Sequence, residues 1–210
     1  MNYNTYIEEG KVQQIKKVIP RRILAHFEWK KILSQFGHIS MDIKKYELNE
    51  APDLYANEVE QMTLQEFYDL DKRQWAIKHS FDRSTVNPFL VYLIQHIEEK
   101  FPLSSSDQFK YTLRISPREW AFPKHFDGVE NFMVLLNGKR NVDISYKDYE
   151  ASYQLRAGDI FYIPPLWEHY FTASNPEPPI VLNMMIKSKI SDEAFKDAYP
   201  DRVVEIEKRM

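Results

Sequence analysis

Hydrophobic and polar positions along the chain change rhythm near residue 108. Before that point the pattern is mixed. Residues 11–20 (KVQQIKKVIP) read as a short strand closed by Pro20. Ile23, Leu24, Phe27, Ile32, Leu33 and Phe36 then recur close to helical spacing, and Gly37 stops them. Residues 38–46 (HISMDIKKY) alternate in part and predict a strand, as do residues 73–81 (RQWAIKHSF). Between them Thr63-Leu64-Gln65-Glu66 forms a capping box that starts a short helix through Leu70. Asn87-Pro88 opens a second helix with proline at its first position, and it runs to about Lys100 before the SSSDQ loop.

From Gln108 onward the period is two. In QFKYTLRIS the apolar set is Phe109, Tyr111, Leu113 and Ile115. VENFMVLL leads into Asn137-Gly138, a hairpin signal, and KRNVDISY follows. SYQLR, a turn at Ala157-Gly158-Asp159 that sends the chain back antiparallel, DIFYIP, HYFTA, a proline-rich loop over 175–179 and IVLNMMIK complete the series. Short strands at this spacing predict a sandwich or barrel rather than βαβ units. The tail reads as two short helices, the first capped by Ser191 and the two separated by Pro200. No repeat or flexible linker divides the chain. The expectation is one domain over 1–210: a mixed, partly helical part at 1–107, a β core at 108–187 and terminal helices at 188–210.

Composition narrows the chemistry. The 210 residues carry no cysteine, so a metal would have to be held by imidazole and oxygen ligands. A net charge of −3 offers no general attraction to nucleic acid or to an anionic membrane. The first residues, MNYNTYIEEGK, lack the apolar core of a secretory signal, and no apolar run is long enough to span a bilayer. An intracellular, cytoplasmic protein is the expectation. Aromatic residues make up 14% of the chain, which suits a sheet interior. Two of the five glycines, Gly138 and Gly158, fall at apparent turns beside the candidate site.

The candidate site is built on two motifs. His125-Phe126-Asp127 is the only His-x-Asp in the chain. In an extended segment its imidazole and carboxylate share one face. The second motif runs from Leu155 to His169 as L-x-x-G-D-x-x-x-I-P-P-x-W-x-H, where Pro164-Pro165 ends a strand and leaves a ligand to be aimed. Taken alone, this motif is equally a turn Asp159, a core Trp167 and a satisfied buried His169. With the first motif it gives two histidines and one carboxylate, the ligand set of non-haem Fe(II) oxygenases. On KRNVDISY, Arg140 shares a face with Val142 and Ile144, while Lys139 shares one with Asn141, Asp143 and Ser145. Arg140 therefore points inward and Lys139 outward.

Together, H-x-D-x-x-x-N-F-x-x-x-x-x-G-x-R and G-D-x-x-x-I-P-P-x-W-x-H resemble the JmjC-type, cupin-like Fe(II)- and 2-oxoglutarate-dependent oxygenases, over roughly residues 108–187. The resemblance implies a mainly β protein with flanking helices, its core a double-stranded β-helix (jelly roll). It implies iron held by His125, Asp127 and His169, with 2-oxoglutarate as cosubstrate and O2 as oxidant. Oxidative decarboxylation of 2-oxoglutarate would be coupled to C–H hydroxylation. Arg140 stands where the family usually has the lysine that grips the distal carboxylate, and a guanidinium can fork both oxygens. Asn131 and Asn183 match polar residues of the cosubstrate pocket.

Two positions depart from the family pattern. Phe122 stands where Thr or Ser is common. Trp75 is the nearest match to a tyrosine that bonds the distal carboxylate, and its indole can only donate. Lys78, Tyr111 or Arg114 are candidate replacements, and Tyr111 and Arg114 have opposite strand parity. Phe126, Phe132, Met133 and Trp167 are candidate shielding walls.

The substrate expected from the resemblance is a protein side chain or a small molecule. Lysine demethylation is disfavoured, with no reader domain or zinc-binding cysteine present. Hydroxylation of a modified tRNA base is an alternative without support from charge. A cupin-like binding protein without catalysis, motivated by Phe122 and Trp75, is a further alternative. A cupin using another divalent metal without oxoglutarate is opposed by Arg140. Val203, Val204 and Ile206 in the tail would supply an apolar contact for a homodimer.

Overall fold

The computed structural model describes residues 11–25, 40–45, 57–61, 75–81, 88–100, 109–116, 119–176, 179–187, 193 and 197. For β2 (Ser40–Lys45), β3 (Asn57–Gln61) and β4 (Trp75–Phe81) the backbone pairing alone is described. The other elements are β1 (Gln13–Ile15), α1 (Arg21–Ala25), α2 (Pro88–Lys100), β5 (Phe109–Ile115), β6 (Glu119–His125) and β7 (Val129–Asn137). They are followed by β8 (Lys139–Tyr146), β9 (Tyr149–Arg156), β10 (Ile160–Ile163), β11 (Glu168–Ser174) and β12 (Ile180–Lys187). The predicted helix at 63–70, the helical pattern beyond Ala25 and the tail contact at Val203, Val204 and Ile206 lie outside the described residues.

The strands form two antiparallel sheets. The larger has the order β1-β10-β7-β12-β5-β4-β2-β3, and the smaller β6-β11-β8-β9. From β5 to β12 the chain passes from one sheet to the other at every connection except β8 to β9. This winding is the double-stranded β-helix. Met133, Leu135 and Val181 of the larger sheet pack against Val142, Ile144, Leu155 and Phe171 of the smaller to form the core between them. Such a core gains about 25 cal/mol for each Å² of apolar surface removed from water.

The winding corrects two expectations. Asn137-Gly138 does not close a hairpin, because β7 pairs with β10 and β12 while β8 pairs with β11 and β9. Gly158 likewise carries the chain from β9 in one sheet to β10 in the other, and does not fold it back antiparallel. Both glycines do hold positive φ, +81° and +95°. Local conformation was therefore readable, but pairing was not. All seven interior residues of β7 are buried, so it needs a central position covered on both faces. β8 buries only alternate residues and belongs in the smaller, half-covered sheet. The connection that does reverse within one sheet is Lys147-Asp148, with Lys147 at φ +52°.

The outer face of the larger sheet is covered by α2. Leu90, Leu93, Ile94 and Ile97 form its buried stripe at helical spacing. Tyr111 of β5 donates from its hydroxyl to Glu98 Oε1 of α2, at 3.0 Å. The apolar set of β5 (Tyr111, Leu113, Ile115) therefore faces the helix and not the space between the sheets. Two strands escaped the pattern. β3 (NEVEQ) has a single apolar residue and pairs only with β2 among the described strands. β6 holds Pro123 in its interior, which an edge strand tolerates.

The turn at Gly158 is tightly built. Gly158 N–H donates to Leu135 O at 2.8 Å, and its carbonyl accepts from Ile19 N–H at 3.1 Å. A Cβ at Gly158 would lie 2.7 Å from the Ile19 carbonyl oxygen. Next to it, the buried Asp159 carboxylate accepts from Lys17 N–H at 2.9 Å, Arg156 N–H at 3.0 Å and Gln14 Nε2 at 3.1 Å. Gly158→Ala is expected to cost about 2 kcal/mol or more, combining left-handed strain with a backbone clash. A urea unfolding midpoint equal to that of the wild type would refute this.

Candidate metal centre

Strand pairing brings the two histidines together. His125 is the last residue of β6, and its register partner on β11 is His169. Their rings lie 4.2 Å apart between centroids. Asp127 follows in the β6–β7 connection, outside any strand, so extended geometry is not what aligns it with His125. Its backbone carbonyl accepts from Leu166 N–H at 2.9 Å, which ties this connection to the one between β10 and β11. Leu166 holds φ +67°, a conformation that costs an L-residue about 1–2 kcal/mol. That strained residue lies between Pro164-Pro165 and Trp167.

The ligand atoms of His125, Asp127 and His169 all lie within 4.8 Å of one another. His169 Nε2 is 3.6 Å from Asp127 Oδ2. His169 Nδ1 lies 2.9 Å from the Trp167 carbonyl oxygen. A carbonyl can only accept, so Nδ1 carries the proton and Nε2 presents its lone pair. That Nε2 is buried with no hydrogen-bond partner. Burial holds the imidazole below its usual pKa, against the opposing pull of Asp127 and the Trp167 carbonyl. The ring is neutral near pH 7, as a metal ligand must be. Two imidazole nitrogens, one carboxylate and a buried unpartnered lone pair fit a divalent cation.

Arg140 is 1% exposed, and the alternation on β8 places it inward as its parity requires. Its Nη2 donates to Ser116 Oγ at 2.8 Å, and Nη1 lies 3.7 Å from Met133 Sδ. The guanidinium carbon sits 5.3 Å from the Phe171 ring centroid. The same ring is 5.0 Å from the His169 ring and 6.3 Å from the His125 ring. Phe171 thus lies between the histidine pair and the guanidinium. Burial, then the neighbouring Arg114 charge, pull the Arg140 pKa down to about 9, so it keeps its charge at neutral pH.

Asn131 on β7 and Asn183 on β12 are buried on the face turned toward the smaller sheet. Asn131 Oδ1 and Asn183 Nδ2 have no hydrogen-bond partner. Tyr111 is not brought to this site, because its hydroxyl is directed to α2. Phe132 also faces outward, stacked on Tyr162 at 4.7 Å, so it is no wall of the site. Trp167 stacks on Tyr146 at 5.1 Å and belongs to the core. The Trp75 backbone pairs with Lys45 and the Lys78 backbone with Arg114. The side chains of Trp75 and Lys78 lie outside the described residues. Ser116 and Phe171 were missed. The signal for Ser116 was the polar half of the β5 alternation, Lys110-x-Thr112-x-Arg114-x-Ser116.

Fold and site define a jelly-roll protein, a double-stranded β-helix with a two-histidine, one-carboxylate cluster at one end of its core. No family model and no curated protein sequence matches the chain. Among solved structures it is similar to YcfD, a ribosomal oxygenase from Escherichia coli, with 16% identity and a TM-score of 0.61, over 99% of this chain and 56% of that one. It is similar to the same protein in complex with cobalt and 2-oxoglutarate, with 14% identity and a TM-score of 0.59, over 99% and 57% of the two chains. The complex with cobalt and succinic acid matches with 14% identity and a TM-score of 0.60, again over 99% and 57%. The chain spans a little over half the length of these YcfD structures. At this identity the likeness is one of fold.

Proposed function

We propose that this protein is an Fe(II)- and 2-oxoglutarate-dependent oxygenase that hydroxylates its substrate. The observation that carries the reading is one buried guanidinium, Arg140, set behind a His–Asp–His cluster on the same interior face. A metal-binding cupin without a dicarboxylate cosubstrate has no use for that buried charge. The fold shared with YcfD, whose structures include a complex with cobalt and 2-oxoglutarate, supports the reading.

His125, Asp127 and His169 would hold the iron. When bound, iron with 2-oxoglutarate and O2 supplies the oxidising chemistry and yields succinate and CO2. The chain's own residues bind, orient and shield. The Trp167 carbonyl keeps the His169 proton on Nδ1 and so keeps Nε2 free to ligate. Arg140, steadied by Ser116 and the Phe171 ring, receives the distal carboxylate of the cosubstrate. Asn183 Nδ2 offers a donor toward the oxygens of the same ligand, and the Asn131 amide, turned over, presents its Nδ2 to them as well. Phe171 and Met133 line the space between with apolar surface and exclude water from it.

Anaerobic titration with Fe(II) and 2-oxoglutarate tests this directly. A weak visible charge-transfer band is expected on adding oxoglutarate to the iron-loaded protein. A featureless spectrum, with no heat of oxoglutarate binding, would favour a cupin-like binding protein instead.

A further inference from the structure

The inner face of β5 carries a row of polar side chains. Lys110, Thr112, Arg114 and Ser116 alternate with the apolar residues that face α2. Arg114 is the register partner of Val181, a fully buried member of the core between the sheets, so Arg114 projects from that same face. Two residues further on, Ser116 accepts from Arg140. Residues spaced by two on a strand lie about 7 Å apart, so Arg114 stands beside the Arg140 anchor. Two residues the other way, Thr112 Oγ1 is buried without a hydrogen-bond partner. Lys110 is exposed at the end of the row, which therefore runs from solvent to Arg140.

Arg114 is half-buried, and its Nε is buried with no hydrogen-bond partner. Its charge acts on both Arg140 and His169 and lowers the proton affinity of each. On the function proposed above, the charges at the metal and cosubstrate sites cancel. A divalent metal and Arg140 would offset Asp127 and a doubly negative cosubstrate. Arg114 is then a cation left over, and a cation withdrawn from water is costly unless an anion offsets it. The cosubstrate does not need it, since Arg140 already occupies the inner end of the row.

We propose that Arg114 anchors an oxyanion group, a carboxylate or a phosphate, on the molecule that is oxidised. The substrate is then a small acid that enters along Lys110, Thr112 and Arg114. This deepens the oxygenase reading and rests on it. A guanidinium can fork two oxygens of such a group, and the unpartnered Thr112 hydroxyl is placed to donate to it.

The test is calorimetric binding to protein loaded with Mn(II) and 2-oxoglutarate. The probes are short-chain and aromatic carboxylates and phosphate monoesters, each beside its neutral amide or alcohol. Acids of one of the two kinds are expected to bind at least about tenfold tighter than their neutral counterparts, and which kind does so identifies the oxyanion. Arg114→Gln should abolish that preference while shifting 2-oxoglutarate affinity less than about threefold. Arg114→Lys should keep part of the preference, and it stands in if the glutamine variant fails to fold. Equal binding of charged and neutral probes overturns the proposal. So does a loss of about tenfold or more in oxoglutarate affinity in Arg114→Gln, which would make Arg114 a cosubstrate clamp. Wild-type protein that binds neither Mn(II) nor oxoglutarate sinks the oxygenase reading. The acid preference, measured on the unloaded protein and compared with Arg114→Gln, would still report on Arg114.

Discussion

The Asp127→Ala protein is expected to lose oxoglutarate turnover and to bind divalent metal at least about 100-fold more weakly. Asp127 supplies the single negative charge of the ligand set, and its oxygen lies 3.6 Å from the lone pair of His169. Without it two neutral imidazoles remain, and a hard divalent cation has no anionic ligand to hold it. The loss should be one of ligation and not of folding. The Asp127 side chain is 37% exposed, and the tie between its connection and the β10–β11 connection is made by its backbone carbonyl, which alanine retains. The measurement is paired: Mn(II) titration for affinity, and succinate formation for turnover, on a variant whose thermal unfolding matches the wild type. Succinate formed at the wild-type rate would remove the cluster from the chemistry.

Arg140→Ala should separate cosubstrate binding from metal binding. Oxoglutarate affinity is expected to fall by at least about 30-fold, since losing one partner of a buried charged pair costs about 2–5 kcal/mol. Metal affinity should stay close to the wild type, because Phe171 separates the guanidinium from the two histidines. Alanine also leaves a cavity beside Met133, Phe171 and Ser116, so some stability is lost as well. Arg140→Lys fills most of that volume and keeps the charge, but it loses the fork. It should recover part of the affinity and most of the stability. If Arg140→Ala bound oxoglutarate as tightly as wild type, Arg140 would be a structural cation and the cosubstrate assignment would fail with it.

Much of the site was readable from local pattern. Arg140 follows from strand parity, because on β8 the apolar face that it shares is the one the larger sheet covers. On β5 parity left the inside open between Tyr111 and Arg114, and there the apolar residues face a helix and the polar ones face the site. Parity separates two faces, but it does not say which of them the second layer will cover. Tyr111 was misjudged for this reason, and Ser116 was missed for the same one.

The chain by itself determined where most of the described strands and the helix α2 form, which residues share a face, and that two histidines and one aspartate are available without cysteine. Those properties depend on neighbours a few residues apart, through alternation, capping and the few backbone positions that tolerate positive φ. Only the tertiary structure decided that Asn137-Gly138 and Gly158 send the chain across to the other sheet, and that His125 lies opposite His169. It also decided that Phe171 divides the two histidines from the guanidinium, and that the polar face of β5 looks inward. Each of these depends on which strand pairs with which. That choice is made by burying β7 on both faces at once, a demand that no short stretch of sequence can express.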